Sequence, residues 1–407
     1  MAEATRRAGR GPCRRLLPPV LAWLVANLLT WAVATASVAG DGTPVRYWST
    51  GGRSRWDSAH YLSIAETGYE MFRCRERYPD FRDVVCGNVA WFPGYPMSVR
   101  AVSATGLSYE LAAAVVTEAA LLGMFAALWW LLGARLTPAT GLALAVGTVF
   151  PGGVYFHALF PLSTATLALL VCVAGVGRGS WAVAAAGGFA AAACHPVGAV
   201  AVGMLLLSAL FAWRGNTWPV RCAKAGAAAA VSGCGVLWAK WLMWQATGRW
   251  DAYETIQESS YGQGGVHQPF GEMAKAYRFP FKDWYTPEGH LPWLVEHALE
   301  AHRTQLWLDT AFVLLVLVTA AALLLRGRDG GRGLDAGEWA AAVLTAAVFL
   351  VPFLAGAEMS WYRNHAQMFV GLLLVARMPR WVQVPLLACC AAQYALLGAM
   401  FFSGVLV

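Results

Sequence analysis

Charge is scarce in this chain. Asp, Glu, Lys and Arg make up 13% of its 407 residues, about half the roughly 25% of a soluble domain, which excludes an ordinary water-soluble globular fold. Cysteine is also sparse, at 9 residues, too few for a small disulfide-stapled scaffold. Low-complexity tracts are missing, so collagen-like and disordered chains are excluded. No internal repeat marks the paired halves common in transporters. No Walker loop, dinucleotide fingerprint or G-x-S-x-G elbow occurs, which argues against ATP-driven, nucleotide-linked and serine-hydrolase chemistry. A compact D-x-D motif is absent too, and we expect no required metal or cofactor.

What is present is apolar sequence, 58% by the letters AVILMFWYC. It falls in runs of about 20 residues nearly free of charge, long enough to cross roughly 30 Å of hydrocarbon. Runs near 17–39, 110–133, 138–151, 155–177, 180–195, 197–213, 223–245, 305–325, 338–356, 364–377 and 381–405 predict an all-α polytopic membrane protein with about 11 transmembrane or re-entrant helices. The short runs suit tilted, re-entrant or wedged helices.

The scarce charges are sorted by side. If the basic segment 1–16 is cytoplasmic, alternation puts Arg135, Arg178, Arg214, Arg221, Lys224, Arg326, Arg328, Arg332, Arg377 and Arg380 on that same side, as the positive-inside rule requires. Those segments hold 15 of the 30 Lys and Arg but only Glu3, Asp329, Asp335 and Glu338 among the acids. The net charge of +7 therefore reflects topology, and no nucleic-acid partner is expected. The run 17–39 is too long for a cleaved signal and is read as a retained anchor. Helices then follow over 110–245 and 305–407, with long extracytoplasmic loops at 40–109 and 246–304 and a short outer loop at 357–364. Both long loops carry Trp and Tyr at helical spacing, for example Trp56, His60, Tyr61 and Ile64, and Trp293, Leu294, His297 and Ala301, which predicts interfacial helices. Cys74 and Cys86 are the loops' two cysteines and could bridge in an oxidising exterior.

The histidines, at 60, 157, 195, 267, 290, 297, 302 and 365, all map to the outer side. Glu118, His157, His195, Lys240 and Asp309 sit within membrane runs, near their outer ends. Ionisable groups there normally face one another or a cavity, which points to a polar cavity opening outward, although snorkelling to water explains some of them equally well. The densest cluster follows the first run: Arg53, Arg55, Trp56, Asp57, His60, Tyr61 and Glu66. It suits a base for a hydroxyl acceptor beside cations for a lipid phosphate, and it suits a solvated interfacial helix equally well.

The run Arg55-Trp56-Asp57-Ser58-Ala59-His60-Tyr61-Leu62-Ser63-Ile64-Ala65-Glu66-Thr67-Gly68-Tyr69, followed by Trp91-Phe92-Pro93-Gly94-Tyr95-Pro96, resembles the start of the PIG-V-like (GPI mannosyltransferase II) family and its bacterial relatives. Phe150-Pro151-Gly152-Gly153-Val154-Tyr155-Phe156 lies where that family opens a span with N-P-x-x-x-x-F. Thr247-Gly248, Ala252-Tyr253 and Gln257 resemble its second-loop motif.

The resemblance implies a GT-C fold with the active site at the outer face of the plasma membrane. It implies inverting transfer of a sugar, typically mannose, from a polyprenyl-phosphate donor to a lipid, glycan or protein acceptor. Asp57 matches the family's first-loop aspartate and would be the general base. Arg55, His60, His195, Lys240, Arg363 and His365 are candidates for binding the donor phosphate, with Glu66, Trp91, Tyr95 and Gln257 as further substrate contacts. Two departures stand out. Phe160-Pro161-Leu162-Ser163 lacks the Y-[ST]-E carboxylate, and His195-Pro196-Val197-Gly198 puts histidine where relatives have arginine. The second predicts a pH-dependent donor affinity, since histidine carries charge only when protonated. A lipid or small-molecule transporter and a catalytically degenerate membrane scaffold are the alternatives.

Overall fold

A computed structural model describes residues 12–37, 44–81, 83–212, 215–261, 265–278, 292–356 and 361–405. The chain is an all-α polytopic membrane protein. Its long helices are α1 (Pro12–Ala36), α2 (Ser58–Thr67), α3 (Gly94–Ser103), α4 (Tyr109–Leu131), α5 (Pro138–Thr148), α6 (Leu162–Gly177), α7 (Trp181–Cys194), α8 (Val200–Leu207), α9 (Trp218–Thr247), α10 (Ala252–Tyr261), α11 (Pro269–Tyr277), α12 (Pro292–Arg328), α13 (Ala336–Leu354) and α14 (Arg380–Phe402). Among the described residues, six helices are long and apolar enough to cross a membrane: α1, α4, α9, α12, α13 and α14. The shorter α5, α6 and α7 pack between them.

Local chemistry sets the helix limits. Ser108 caps α4 by accepting from the Leu111 amide. Thr137 and Thr140 form a capping box at α5, and Asp335 and Glu338 form one at α13, so the first-turn amides find partners. Gly248 ends α9 at φ +71°, a left-handed conformation that glycine adopts without steric penalty. Gly175 and Gly187 do different work. A side chain at the first would strike the backbone of Ala184, and at the second the backbone of Cys172. Their absence of Cβ lets α6 and α7 touch backbone to backbone, the usual way membrane helices gain dispersion contact.

One expectation about the helices needs correction. The stripe Trp293–Ala301 is no separate interfacial helix. It forms the opening turns of the 37-residue α12, because no glycine or proline interrupts the chain between Pro292 and Gly327. Ala298 and Ala301 are accordingly buried. The short run 364–377 is wedged among the longer helices, one of the arrangements its length allows. It forms a short turn, Trp361–His365, a 3₁₀ segment, Ala366–Gly371, and a further turn, Leu372–Val375, with Ala366–Val375 wholly buried inside the bundle. His290 lies outside the described residues, as do the side chains of Trp293 and Leu294.

The first loop folds as a cap. Beyond α2 comes a two-stranded antiparallel ribbon, β1 (Met71–Arg73) and β2 (Val85–Gly87), with Phe72 opposite Cys86 and a Cys74–Cys86 disulfide closing it. The C-terminal carbonyls of α2 are held by Arg100, which donates to Ala65 O at 2.6 Å and Ile64 O at 3.0 Å. A cation at this end also suits the helix dipole. Asn88 donates to Gly68 O and Ser63 Oγ, both at 2.9 Å. With its far end pinned, α2 holds Asp57 in a fixed position at its start.

Glu118, expected as a cavity group, instead ties α1, α4 and the first loop together. It accepts from Arg53 at 2.7 Å, Trp23 at 2.8 Å and Asn27 at 3.1 Å. Tyr47 extends the network by donating to Asn27 Oδ1 at 2.9 Å, with its hydroxyl 3.0 Å from His157 Nδ1. Replacing Glu118 with Gln strands the Arg53 guanidinium, whose side chain is only 8% exposed. Breaking a fully buried pair costs about 3–5 kcal/mol. Partial access at Glu118 places the expected loss nearer 2–3 kcal/mol, read as a lower thermal midpoint in detergent with donor KM unchanged.

Candidate active site

Asp57 occupies the N-cap position of α2, yet its side chain does not cap the helix. Its own backbone is already helical, at φ −66° and ψ −7°, where a capping residue is extended. Trp56 has φ +46°, a left-handed conformation that costs a bulky residue on the order of 1–3 kcal/mol. The Asp57 carboxylate directly follows this bend. It meets Arg363 of the 361–365 turn in an ion pair, across 306 residues of sequence. The two side chains are 19% and 20% exposed, so the pair is recessed but reachable.

Aromatic rings form the pair's surroundings. The Arg363 guanidinium lies 5.6 Å from the Phe160 ring centroid. Phe160 stacks on Tyr155 at 5.9 Å, Tyr155 on Tyr362 at 6.1 Å, and Tyr61 approaches Phe160 at 6.1 Å. Tyr61 in turn sits edge-on to Tyr95. His195, between α7 and α8, lies within electrostatic reach of both Arg363 and Asp57. Its Nδ1 receives the Val197 amide at 3.3 Å and the Gln367 carboxamide at 3.2 Å. Asp57, Arg363 and His195 thus gather at one end of the bundle from three distant stretches of chain.

The remaining sequence candidates divide. Arg55 stays close, donating to Phe402 O at 3.2 Å at the end of α14. His60 stacks on Trp91 with 3.6 Å between ring centroids. Burial outweighs the opposing effect of Asp57 and holds the His60 pKa below the usual 6.5, so this ring is a neutral packing partner rather than a phosphate cation. Its linkage has a definite sign. A depressed folded pKa means the unfolded chain binds protons first, so stability is retained above about pH 6.5 and falls as pH drops below it. His60→Phe keeps the stack and should flatten that acid-side decline in a melting series, with transfer activity largely retained.

Tyr95 is fully buried, and its hydroxyl is engaged with Ala113 O at 3.2 Å and Thr117 Oγ1 at 3.0 Å. It props Tyr61 rather than meeting substrate. Glu66 is exposed and lies nine residues after Asp57, half a turn out of phase on a helix, so the two carboxylates face apart. Lys240 is ion-paired to Glu254 on α10 at 2.5 Å, and Gln257 bonds the Tyr253 hydroxyl. Tyr253 packs edge-on against Phe92 at 5.5 Å, which docks α10 on the first loop.

His365 was expected to bind donor phosphate, and the structure contradicts that. Its Nδ1 lies 2.8 Å from Asp309 Oδ2 and its Nε2 lies 3.0 Å from Phe349 O, with 1% of the residue exposed. A carbonyl can only accept, so Nε2 donates inward and neither nitrogen is available to a ligand. Among the described residues, no three His, Cys, Asp or Glu side chains converge as metal ligands. Asp57 is engaged with Arg363, and Asp83 with Arg73 at 3.4 Å.

Sequence reasoning missed Gln367 and the aromatic floor of Phe160 and Tyr155. No protein-family model and no curated protein matches this chain. Among solved structures it is similar to the Archaeoglobus fulgidus oligosaccharyltransferase in complex with Zn and sulfate. The TM-score is 0.43 at 10% identity, over 92% of this chain and 53% of that one, so the chain spans about half the length of that protein.

Proposed function

We propose that this protein is an integral membrane glycosyltransferase of the GT-C type. It moves a sugar from a polyprenyl-phosphate donor to a hydroxyl acceptor at the extracytoplasmic face. The observation that carries this reading is the Asp57–Arg363 pair, which places a carboxylate and a guanidinium side by side in a recess at one end of a membrane bundle. The motif around Asp57 and its resemblance to PIG-V-like mannosyltransferases support mannose as the sugar.

The chemistry follows from what each group can do. The acceptor oxygen attacks the anomeric carbon while the bond from that carbon to the phosphate oxygen breaks. The electron pair leaves with the lipid phosphate, and the acceptor proton passes to Asp57. No covalent intermediate with the protein is needed, and the configuration inverts. The leaving group is already anionic, so fixed positive charge stabilises it better than protonation would. Arg363 supplies that charge. Its planar fork matches two phosphate oxygens as well as it matches a carboxylate.

Before substrate arrives, Arg363 is closed on Asp57. Donor phosphate competes for the same guanidinium and frees the carboxylate to act as base, so the donor should bind before the acceptor is activated. The ordering is checked by product inhibition: polyprenyl phosphate should be competitive against donor and noncompetitive against acceptor. Competition against acceptor alone would contradict it.

A further inference from the structure

The sequence suggested that His195, in a position where relatives carry arginine, would bind phosphate only when protonated. The geometry around the ring points elsewhere. We propose that Gln367 is a positioning residue that, together with the Val197 amide, holds His195 as a neutral ring with its proton on Nε2, making it a hydrogen-bond donor to substrate that does not switch with pH. This deepens the glycosyltransferase reading and rests on it only for the identity of the substrate.

The argument begins with a group that has no choice. The Val197 backbone N–H can only donate, and it points at His195 Nδ1 from 3.3 Å. Nδ1 therefore carries no proton. That decides the orientation of the Gln367 amide, whose Nε2 lies 3.2 Å from the same atom and must donate as well. Two donors on one ring nitrogen leave the remaining proton on Nε2. The same orientation leaves Gln367 Oε1 buried with no partner among the described residues.

Both residues are fixed in place. His195 is 7% exposed and Gln367 is 0% exposed. His195 sits in an extended conformation at the head of the Pro196–Ala199 turn, and Gln367 lies one helical turn beyond Arg363 in the buried 366–371 segment. The charged groups that act on the ring are Arg363, first, and Asp57. The buried Cys194 thiol precedes it on α7. A second cation beside Arg363 would oppose the first, whereas a neutral N–H donor adds to a phosphate or sugar-oxygen site without that repulsion.

The test reads the ring directly. The full chain, labelled with ¹⁵N-histidine and reconstituted in nanodiscs without substrate, is compared with His195→Gln to assign the signal. Wild type should show the neutral Nε2–H form between about pH 5.5 and 8, where an ordinary histidine would titrate. Gln367→Glu keeps the shape of the side chain but sets a carboxylate acceptor against Nδ1, in competition with the Val197 amide, so the ring should give up the Val197 contact, take up a second proton on Nδ1 and appear as imidazolium at neutral pH. A wild-type ring that is Nδ1–H or doubly protonated at neutral pH overturns the proposal. So does a Gln367→Glu spectrum identical to wild type.

Transfer assays add a second readout. Donor KM should be flat across this range in wild type and gain an inflection in Gln367→Glu, which His195→Gln in the same background should remove. The spectra need no substrate. Absence of any glycosyl transfer would therefore count against the proposed function and leave the ring's tautomer standing, whereas intact transfer with the wrong tautomer would count against this inference alone.

Discussion

Asp57→Asn should abolish most sugar transfer, lowering kcat by about 10²–10⁴-fold, the usual contribution of a positioned general base. The asparagine keeps the shape of the side chain and can still accept a hydrogen bond from Arg363. It cannot take a proton from the acceptor hydroxyl. Donor KM should change little or fall, because the competing carboxylate no longer holds the guanidinium. A structural role would show itself differently. Replacing a carboxylate in a recessed ion pair leaves an uncompensated Arg363, and a loss of folding would lower the thermal midpoint along with every kinetic constant. The informative combination is lost kcat with an unchanged melting temperature. Full transfer by Asp57→Asn would remove this residue from the chemistry.

Arg363→Ala should produce the second large effect, with kcat down by about 10²–10³-fold, the range measured when one preorganised charge stabiliser is removed. It should also raise donor KM much more than acceptor KM. Equal weakening of the two would argue that the side chain only holds the fold. Arg363→Lys separates charge from geometry. Lysine restores the positive charge but offers a single ammonium instead of a planar fork, so it should recover part of the lost rate and little of the donor affinity. The double variant Asp57→Asn/Arg363→Ala adds a coupling test. Two groups that act on the same transition state should lose far less together than the product of their separate losses.

The membrane class was legible in the sequence, and the cluster around Asp57 stood out there as a candidate, but what Asp57 meets in space was disclosed unevenly. Apolar run length reports burial in lipid directly, so the membrane-crossing character of α1, α4, α9, α12, α13 and α14 could be read from composition. Run length says nothing about what a buried helix faces. The short apolar run at 364–377 could be tilted, re-entrant or wedged by its length alone, and only the structure shows it as a wedge of short turns inside the bundle. Arg363 and His365 illustrate the limit at the level of single residues. They are two positions apart with the same polar character, yet one meets Asp57 and the other is turned inward to Asp309 and Phe349. Side-chain direction in an irregular turn depends on packing that no periodicity encodes.

Gln367 carried no signal at all, since a lone glutamine in an apolar stretch has many explanations. Its meaning appears only when the Val197 amide is seen to claim the same nitrogen of His195. Glu118 shows the opposite error. A carboxylate at membrane depth reads by default as part of a functional cavity, and here its oxygens are taken by Arg53, Trp23 and Asn27. Phe160, in the stretch Phe160-Pro161-Leu162-Ser163, provides the ring beneath Arg363, a role that a lone aromatic in an apolar stretch does not announce.

The most direct measurement is transfer of radiolabelled mannose from polyprenyl phosphomannose by the purified, reconstituted protein, run side by side with Asp57→Asn. Wild type should convert the labelled donor to free polyprenyl phosphate and a labelled, mannose-bearing product, while Asp57→Asn binds the donor and turns over almost none of it. Equal turnover by both proteins would contradict the role of the Asp57–Arg363 pair, and donor that is bound by neither and left intact by both would contradict the proposed function itself.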